Sequence, residues 1–412
     1  MINSWLLFII AIILVSFFLE LLVSILNLKH SPKLPAEFED IYDHDSYSKS
    51  QQYTRETTRF SLVENSISTL VTLVFLLAGG FNLVDIYARS FGFGEITTGL
   101  IFTGLLLLLS FLVGMPFSIY STFVIEERFG FNRTTIKTFT LDIAKAVLLT
   151  ILIGGPVLAL ILWFFLFMGS LAWLYCWIGV FILTLLLQFL APVLIMPLFN
   201  KFTPLEEGEL KQAILQYTAK EKFTIKGVFV MDGSKRSTKL NAFFTGFGRF
   251  KKIVFFDTLM EKLSTQQVLG VLAHEMGHYK HRHLLKMIVA SFFQTGILFF
   301  FLSLIMENEN LFAAFSMDHI STYAGLVFFG FLYSPVSLLL AVIFNHISRK
   351  HEYQADEYAA LSTGSPQYLI ESLKILSQTN LSNLTPHPLN VFLHYSHPPV
   401  VERIRALRSV AI

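Results

Sequence analysis

Apolar residues in this chain gather into long runs, and polar residues collect in the gaps between them. Seven runs are long enough to cross a bilayer as helices, for which about 20 residues span roughly 30 Å of hydrocarbon. They lie at Trp5–Leu26, Ser61–Phe81, Thr98–Phe123, Ile143–Phe167, Leu171–Leu194, Met287–Met306 and Tyr323–Phe344. The first run occupies the place of a signal peptide, but no Lys or Arg precedes it and it is too long for the apolar core of one. It reads as a retained helix. Glu64 and Asn65 interrupt the second run, and polar groups at membrane depth usually face a cavity or a partner.

The runs divide the chain into four parts. Residues 1–197 hold five membrane helices and their loops, and 287–346 hold two more. The polar pieces 198–286 and 347–412 are each under 100 residues, so they are expected to assemble into one unit on the same side of the membrane. Lys and Arg alternate in the same rhythm. Segments 28–60, 124–142 and 195–286 carry five, three and fifteen, and the region after the seventh run carries six. Segments 84–97, 168–170 and 307–322 carry one, none and none. The basic segments are the ones retained in the cytoplasm, which puts both polar pieces there. The sequons beginning at Asn132, Asn380 and Asn383 fall on that side and are expected to stay unmodified.

Composition sharpens this picture. Of 412 residues, 54% are hydrophobic and only 15% charged, far from a water-soluble domain, where about a quarter are charged. The net charge of +2 gives no reason to expect nucleic acid as a partner; the lipid bilayer is the expected surrounding. The single cysteine, Cys176, excludes an internal disulfide and reads as a buried thiol within an apolar run.

The chemistry concentrates at residues 274–278, which read HEMGH. Ser264 and Gln267 form a capping-box start, and Val268, Leu269, Val271 and Leu272 follow at helical spacing. On such a helix His274 and His278 share one face and can fill two corners of a tetrahedral zinc site. Glu275 then sits beside the metal, where a carboxylate can take a proton from an attacking water. A third ligand must come from elsewhere. The position six residues after His278 is Leu284, which excludes a third histidine in the metzincin manner. Residues 348–360, SRKHEYQADEYAA, place Glu352 and Asp356 on one helix face. One carboxylate can bind metal while the other accepts the outer N–H of a ligand histidine. An ordinary solvated acidic face explains the same residues, and spacing alone does not choose between the two.

Several further segments resemble one family, the integral-membrane zinc metalloproteases typified by the type I CAAX prenyl endopeptidase. They are EERFGFN (126–132), PLFNKFTPLEEGELK (197–211), SKRSTKLNAFFTGFG (234–248), IVFFDTL (253–259), EYQAD (352–356) and HYSHPPVVERIRAL (394–407). They stand in that family's order and cover nearly the whole chain. The resemblance implies an all-α integral membrane protein, with seven transmembrane helices forming a chamber. A mainly α, gluzincin-like zinc-protease domain with a small β-sheet caps that chamber on the cytoplasmic side. It implies one zinc ion on His274, His278 and Glu352, Glu275 as general base, and Asp356 behind a ligand histidine. His397 and Arg403 are implied to hold the substrate carbonyl or its oxyanion, and Asn241 to lie beside an extended substrate.

The expected substrate is a peptide or protein, with or without a prenyl group, and the expected home is a bacterial inner membrane or the endoplasmic reticulum. A membrane quality-control protease shares the same chemistry. A protease cutting within the bilayer fits less well, because Tyr279-Lys280-His281-Arg282-His283 follows the motif and places it at the membrane surface. A non-enzymatic channel with a relic metal site leaves the complete catalytic set unexplained. His281 and His283 read as structural, and Lys235, Arg236 and Lys239 as a solvated basic loop.

Overall fold

A computed structural model describes residues 3–30, 33–245 and 252–411, so the last three residues of the 234–248 segment lie outside the described residues. In chain order the main helices are α1 (Ser4–Lys29), α2 (His44–Leu77), α3 (Gly80–Arg89), α4 (Glu95–Glu126), α5 (Ile136–Phe167), α6 (Gly169–Phe199) and α7 (Glu209–Lys220). They continue with α8 (Thr265–Lys280), α9 (His283–Ile305), α10 (Thr322–Thr363), α11 (Gln367–Thr379), α12 (Pro388–His394) and α13 (Val400–Arg408). Seven of them, α1, α2, α4, α5, α6, α9 and α10, are long and apolar enough to cross a membrane.

All seven expected spans are therefore helices. Their outward residues, among them Leu7, Phe18, Leu70, Leu108, Leu152 and Ile182, are apolar and exposed. That is the arrangement expected where hydrocarbon is the solvent. The second span ends at Leu77 rather than Phe81, because Gly79 takes φ 69° and turns the chain into α3. Cys176 is buried, as its apolar setting predicts.

The seventh span differs most from its expected length. Its helix runs on through the boundary drawn at 346/347 as one element of 42 residues. Glu352 and Asp356 thus sit on the same rod that crosses the bilayer. The boundary drawn at 286/287 likewise falls inside α9.

The polar pieces share one core. Ile214 and Tyr217 of α7, Leu272 and Met276 of α8, Ile370 of α11 and Ile404 of α13 pack together in it. They close over a four-stranded sheet of β1 (Phe202–Pro204), β2 (Gly227–Met231), β3 (Ala242–Thr245) and β4 (Lys252–Phe256). Its order is β1-β2-β4-β3, with β2 and β4 parallel and β3 antiparallel to β4 at one edge, Ala242 opposite Phe255. The first polar loop joins this unit too, since Phe38 and Tyr42 are buried in the same core. Asp40 accepts two hydrogen bonds from Lys374 Nζ, at 2.7 and 2.6 Å, and Glu37 accepts one from Arg405 at 2.6 Å.

Of the basic loop at 235–239, Lys235 is exposed as expected, but Arg236 and Lys239 are partly buried and paired. Arg236 makes a two-point pair with Asp142 at the start of α5, at 2.7 and 2.9 Å, and also donates to the Phe199 carbonyl. Lys239 lies 2.8 Å from Glu126 and donates to the Tyr53 hydroxyl. These contacts tie the sheet to α2, α4 and α5, so the loop is a clamp between the polar unit and the membrane helices.

Candidate active site

Helix α8 carries the HEMGH motif, and its start follows the capping chemistry read from sequence. Ser264 Oγ accepts from Gln267 N, while Gln267 Oε1 accepts from Ser264 N. The helix is buried on a face that includes Gly270, Ala273, His274 and Gly277. Its neighbours come close because the facing residues are small. A Cβ added at Gly277 would lie 2.8 Å from Ala355 Cα, and one at Gly270 would lie 2.8 Å from the backbone of Tyr368 and Leu369. Sequence reading passed over Gly277. The available signal was a pair of small-residue stripes, Gly270/Gly277 on α8 and Ala355/Ala359 on α10, each on one helical face.

That close approach brings three ligand atoms together. His274 Nε2 and His278 Nε2 face each other at 3.2 Å. Glu352 Oε1 lies 3.2 Å from His278 Nε2, and Glu352 Oε2 lies 3.5 Å from His274 Nε2. Ligands about 2.0–2.2 Å from a tetrahedral metal stand roughly 3.3–3.5 Å apart, so the spacing fits a single ion. Among the described residues, these three form the group able to hold a metal.

The hydrogen bonding argues for the same fit. His274 Nδ1 lies 2.9 Å from Asp356 Oδ1, and an ionised carboxylate only accepts. The His274 proton is therefore on Nδ1, and its Nε2 presents a bare lone pair to the cluster. Glu352 Oε2 is buried without a hydrogen-bond partner; the charge of Arg403, 3.3 Å away, offsets its burial and leaves the oxygen's lone pairs free for a metal.

Around the ligands, Arg403 grips Asp356 with two hydrogen bonds, Nε at 2.8 Å and Nη2 at 2.6 Å, and sets Nη1 3.3 Å from Glu352 Oε2. Burial works against its charge, but Asp356, Glu352 and Glu275 together outweigh burial and hold the guanidinium above its ordinary pKa. His397 Nε2 lies 3.4 Å from Glu352 Oε1, and its side chain is 63% exposed. Ser396 Oγ stands 3.0 Å from His397 Nδ1. Glu275 is half-buried between the two motif histidines. Burial pushes its carboxyl up, and His274 and His278 pull it part of the way back. A base held nearer neutrality is the better matched to proton transfer.

The structure thus brings His274, His278, Glu275, Glu352, Asp356, His397 and Arg403 together. Asn241 stands apart at the entrance to the edge strand β3, where its side-chain oxygen accepts from Ala242 N. The backbone just before it is held by Asn380, which accepts from Leu240 N and donates to Leu240 O.

The model of peptidase family M48 matches residues 204–411, the whole stretch that supplies this site. The chain belongs to that family. The model of the CAAX prenyl protease N-terminal region, described as five membrane helices, matches residues 24–201 ahead of it. CAAX prenyl protease 1 of Saccharomyces cerevisiae is 36% identical, over 92% of this chain and 89% of that protein. The human CAAX prenyl protease 1 homolog is 34% identical, over 93% and 90%. The crystal structure of S. mikatae Ste24p superposes with a TM-score of 0.94 at 36% identity, covering 98% of this chain and 99% of that one. The family member described here is therefore a multi-pass membrane metalloendopeptidase of the CAAX protease type, with the chamber fold of that neighbour.

Proposed function

We propose that this protein hydrolyses a peptide bond near the C-terminus of prenylated substrates, using one zinc ion held by His274, His278 and Glu352. The observation that carries the reading is the convergence of His274 Nε2, His278 Nε2 and the two carboxylate oxygens of Glu352, with contacts of 3.2–3.5 Å, beside Glu275. The substrate class is supported by relatives named CAAX prenyl protease 1 at 34–36% identity over more than nine-tenths of the chain.

Zinc supplies a Lewis acid and brings the pKa of a water towards about 7. Glu275 takes the proton of the attacking water and delivers it to the leaving amine. Asp356 holds His274 with its proton on Nδ1 and in turn is held by Arg403. His397, exposed above Glu352, is the group with freedom to donate to the carbonyl oxygen as charge develops there, and Arg403 sets the positive field behind it. Among the described residues β3, entered at Asn241, pairs with β4 alone and forms the sheet edge, along which an extended peptide can add as a further strand. The catalytic face is the cytoplasmic one, on the alternation of basic loops.

The test is cleavage of a farnesylated peptide ending in a C-a-a-X sequence beside its unprenylated twin, using purified protein with and without a zinc chelator. The expected result is chelator-sensitive cleavage that prefers the prenylated peptide and is abolished in Glu275→Gln without loss of zinc. Equal cleavage of both peptides would replace the prenyl reading with general membrane-protein quality control. Full activity in Glu275→Gln would overturn the mechanism.

A further inference from the structure

Helix α8 ends at Lys280 and α9 begins at His283, with Arg282 between them at φ 55°, a left-handed conformation that costs a non-glycine residue roughly 1–2 kcal/mol. In an unbroken helix the residue five positions on is turned about 140° away from His278. The break instead folds His283 back against it, and His283 Nδ1 lies 3.0 Å from His278 Nδ1. The other His283 nitrogen, Nε2, lies 2.9 Å from Gln354 Oε1 on α10. His283 is 3% exposed, with its ring stacked on His351 at 3.9 Å between centroids.

The direction of this chain of hydrogen bonds follows from its far end. A carboxamide oxygen only accepts, so Gln354 fixes the His283 proton on Nε2 and leaves Nδ1 as an acceptor. His278 must then donate from Nδ1, which leaves its Nε2 bare towards His274 Nε2 and Glu352. The reversed chain would put a proton on His278 Nε2, where a metal ligand cannot carry one.

We infer that His283, oriented by Gln354, is the positioning residue for His278, fixing its proton and its ring plane as Asp356 does for His274. The two ligand histidines are then held by chemically different partners. A carboxylate backed by an arginine holds one, and a neutral imidazole backed by a carboxamide holds the other. The inference rests on the metal reading of the site, and the variants below separate the two.

The experiment is zinc affinity of the purified full-length protein by chelator competition, with the absorption band of the cobalt-substituted form as a second readout. His278→Ala tests the metal reading itself. His283→Phe keeps a ring against His351 but removes the acceptor, and should weaken zinc about 10- to 100-fold, as loss of such outer partners does. It should also alter the cobalt band while leaving the metal-free melting temperature in place. His283→Asn restores an acceptor and should recover most of the affinity. Gln354→Leu should weaken zinc in the same direction, leaving His283 in place should the Phe variant fail to fold. Gln354→Glu, an acceptor only, should bind zinc at least as tightly as the wild type.

Wild-type affinity in His283→Phe or Gln354→Leu, with the expected loss in His278→Ala, would overturn the inference and leave the metal site standing. A loss in Gln354→Glu as large as that in Gln354→Leu would overturn the assigned direction. Unchanged affinity in His278→Ala would overturn the metal reading instead.

Discussion

Substituting Gly277 by alanine tests how the site is assembled, because one methyl group there meets backbone rather than a flexible side chain. The added Cβ would lie 2.8 Å from Ala355 Cα, 3.0 Å from Ala355 O and 3.2 Å from Ala355 Cβ. Carbon atoms rest about 3.5–4.0 Å apart, so α8 and α10 must separate by roughly 0.9 Å. Ala355 lies between Glu352 and Asp356, so that movement acts directly on a ligand carboxylate. Metal–ligand distances tolerate only about 0.2 Å, and a misplacement near 1 Å costs on the order of 100-fold in rate. Overpacking of this kind also destabilises by typically 1–3 kcal/mol. The expected outcome is a folded protein with a lowered melting temperature, weakened zinc retention and peptide cleavage reduced about 100-fold. Gly114→Ala is the control, since nothing lies within 4 Å of its added Cβ in α4. If Gly277→Ala binds zinc and cleaves like the wild type, the contact does not set the ligand geometry and the reasoning fails.

Removing the metal should lower the melting temperature by the linkage relation, which gives about 2.7 kcal/mol when free zinc is 100 times its Kd; titration with chelator during calorimetry measures it. Arg403→Met leaves Asp356 and Glu352 buried without their counter-charge and is expected to destabilise by roughly 3–5 kcal/mol, read from thermal unfolding of the metal-free protein. Arg236→Met removes the two-point pair with Asp142 and should cost about 1.5–3 kcal/mol, with faster proteolysis at the 235–239 loop as the check. Arg405 donates to Glu37 and so holds that carboxyl below its ordinary pKa. The contribution is therefore present at neutral pH and lost as pH falls through the Glu37 titration. Melting temperatures of wild type and Arg405→Met should converge as the pH is lowered.

The membrane helices were legible because lipid demands long apolar runs, and a run of twenty such residues has few other readings. The HEMGH pair was legible because a helix puts residues four apart on one face. The third ligand was harder. Periodicity left Glu352 and Asp356 interchangeable, and only the family's phrase order chose between them; their separate contacts to the histidines come from tertiary packing. The first polar loop gave no sign of joining the catalytic core, since Phe38 and Tyr42 are two aromatics without a repeat. His283 was read as structural because an unbroken helix carries it away from His278, and the left-handed turn at Arg282 has no glycine to announce it. The basic loop was read as solvated because its partners, Asp142 and Glu126, are 94 and 113 residues away in sequence, too far for any local pattern.

The unbroken helix α10 makes the bilayer a ruler and a protractor for the catalytic centre. From Phe344, the last residue of the apolar run, to Glu352 is eight residues, or about 12 Å along the axis at 1.5 Å each. A bond presented to Glu352 must therefore stand at a set height above the hydrocarbon. Each residue also turns the helix by about 100°, so one residue inserted between Phe344 and Glu352 would swing the carboxylate out of the cluster. The depth and the bearing of the third ligand are both written in the residue count of this short stretch.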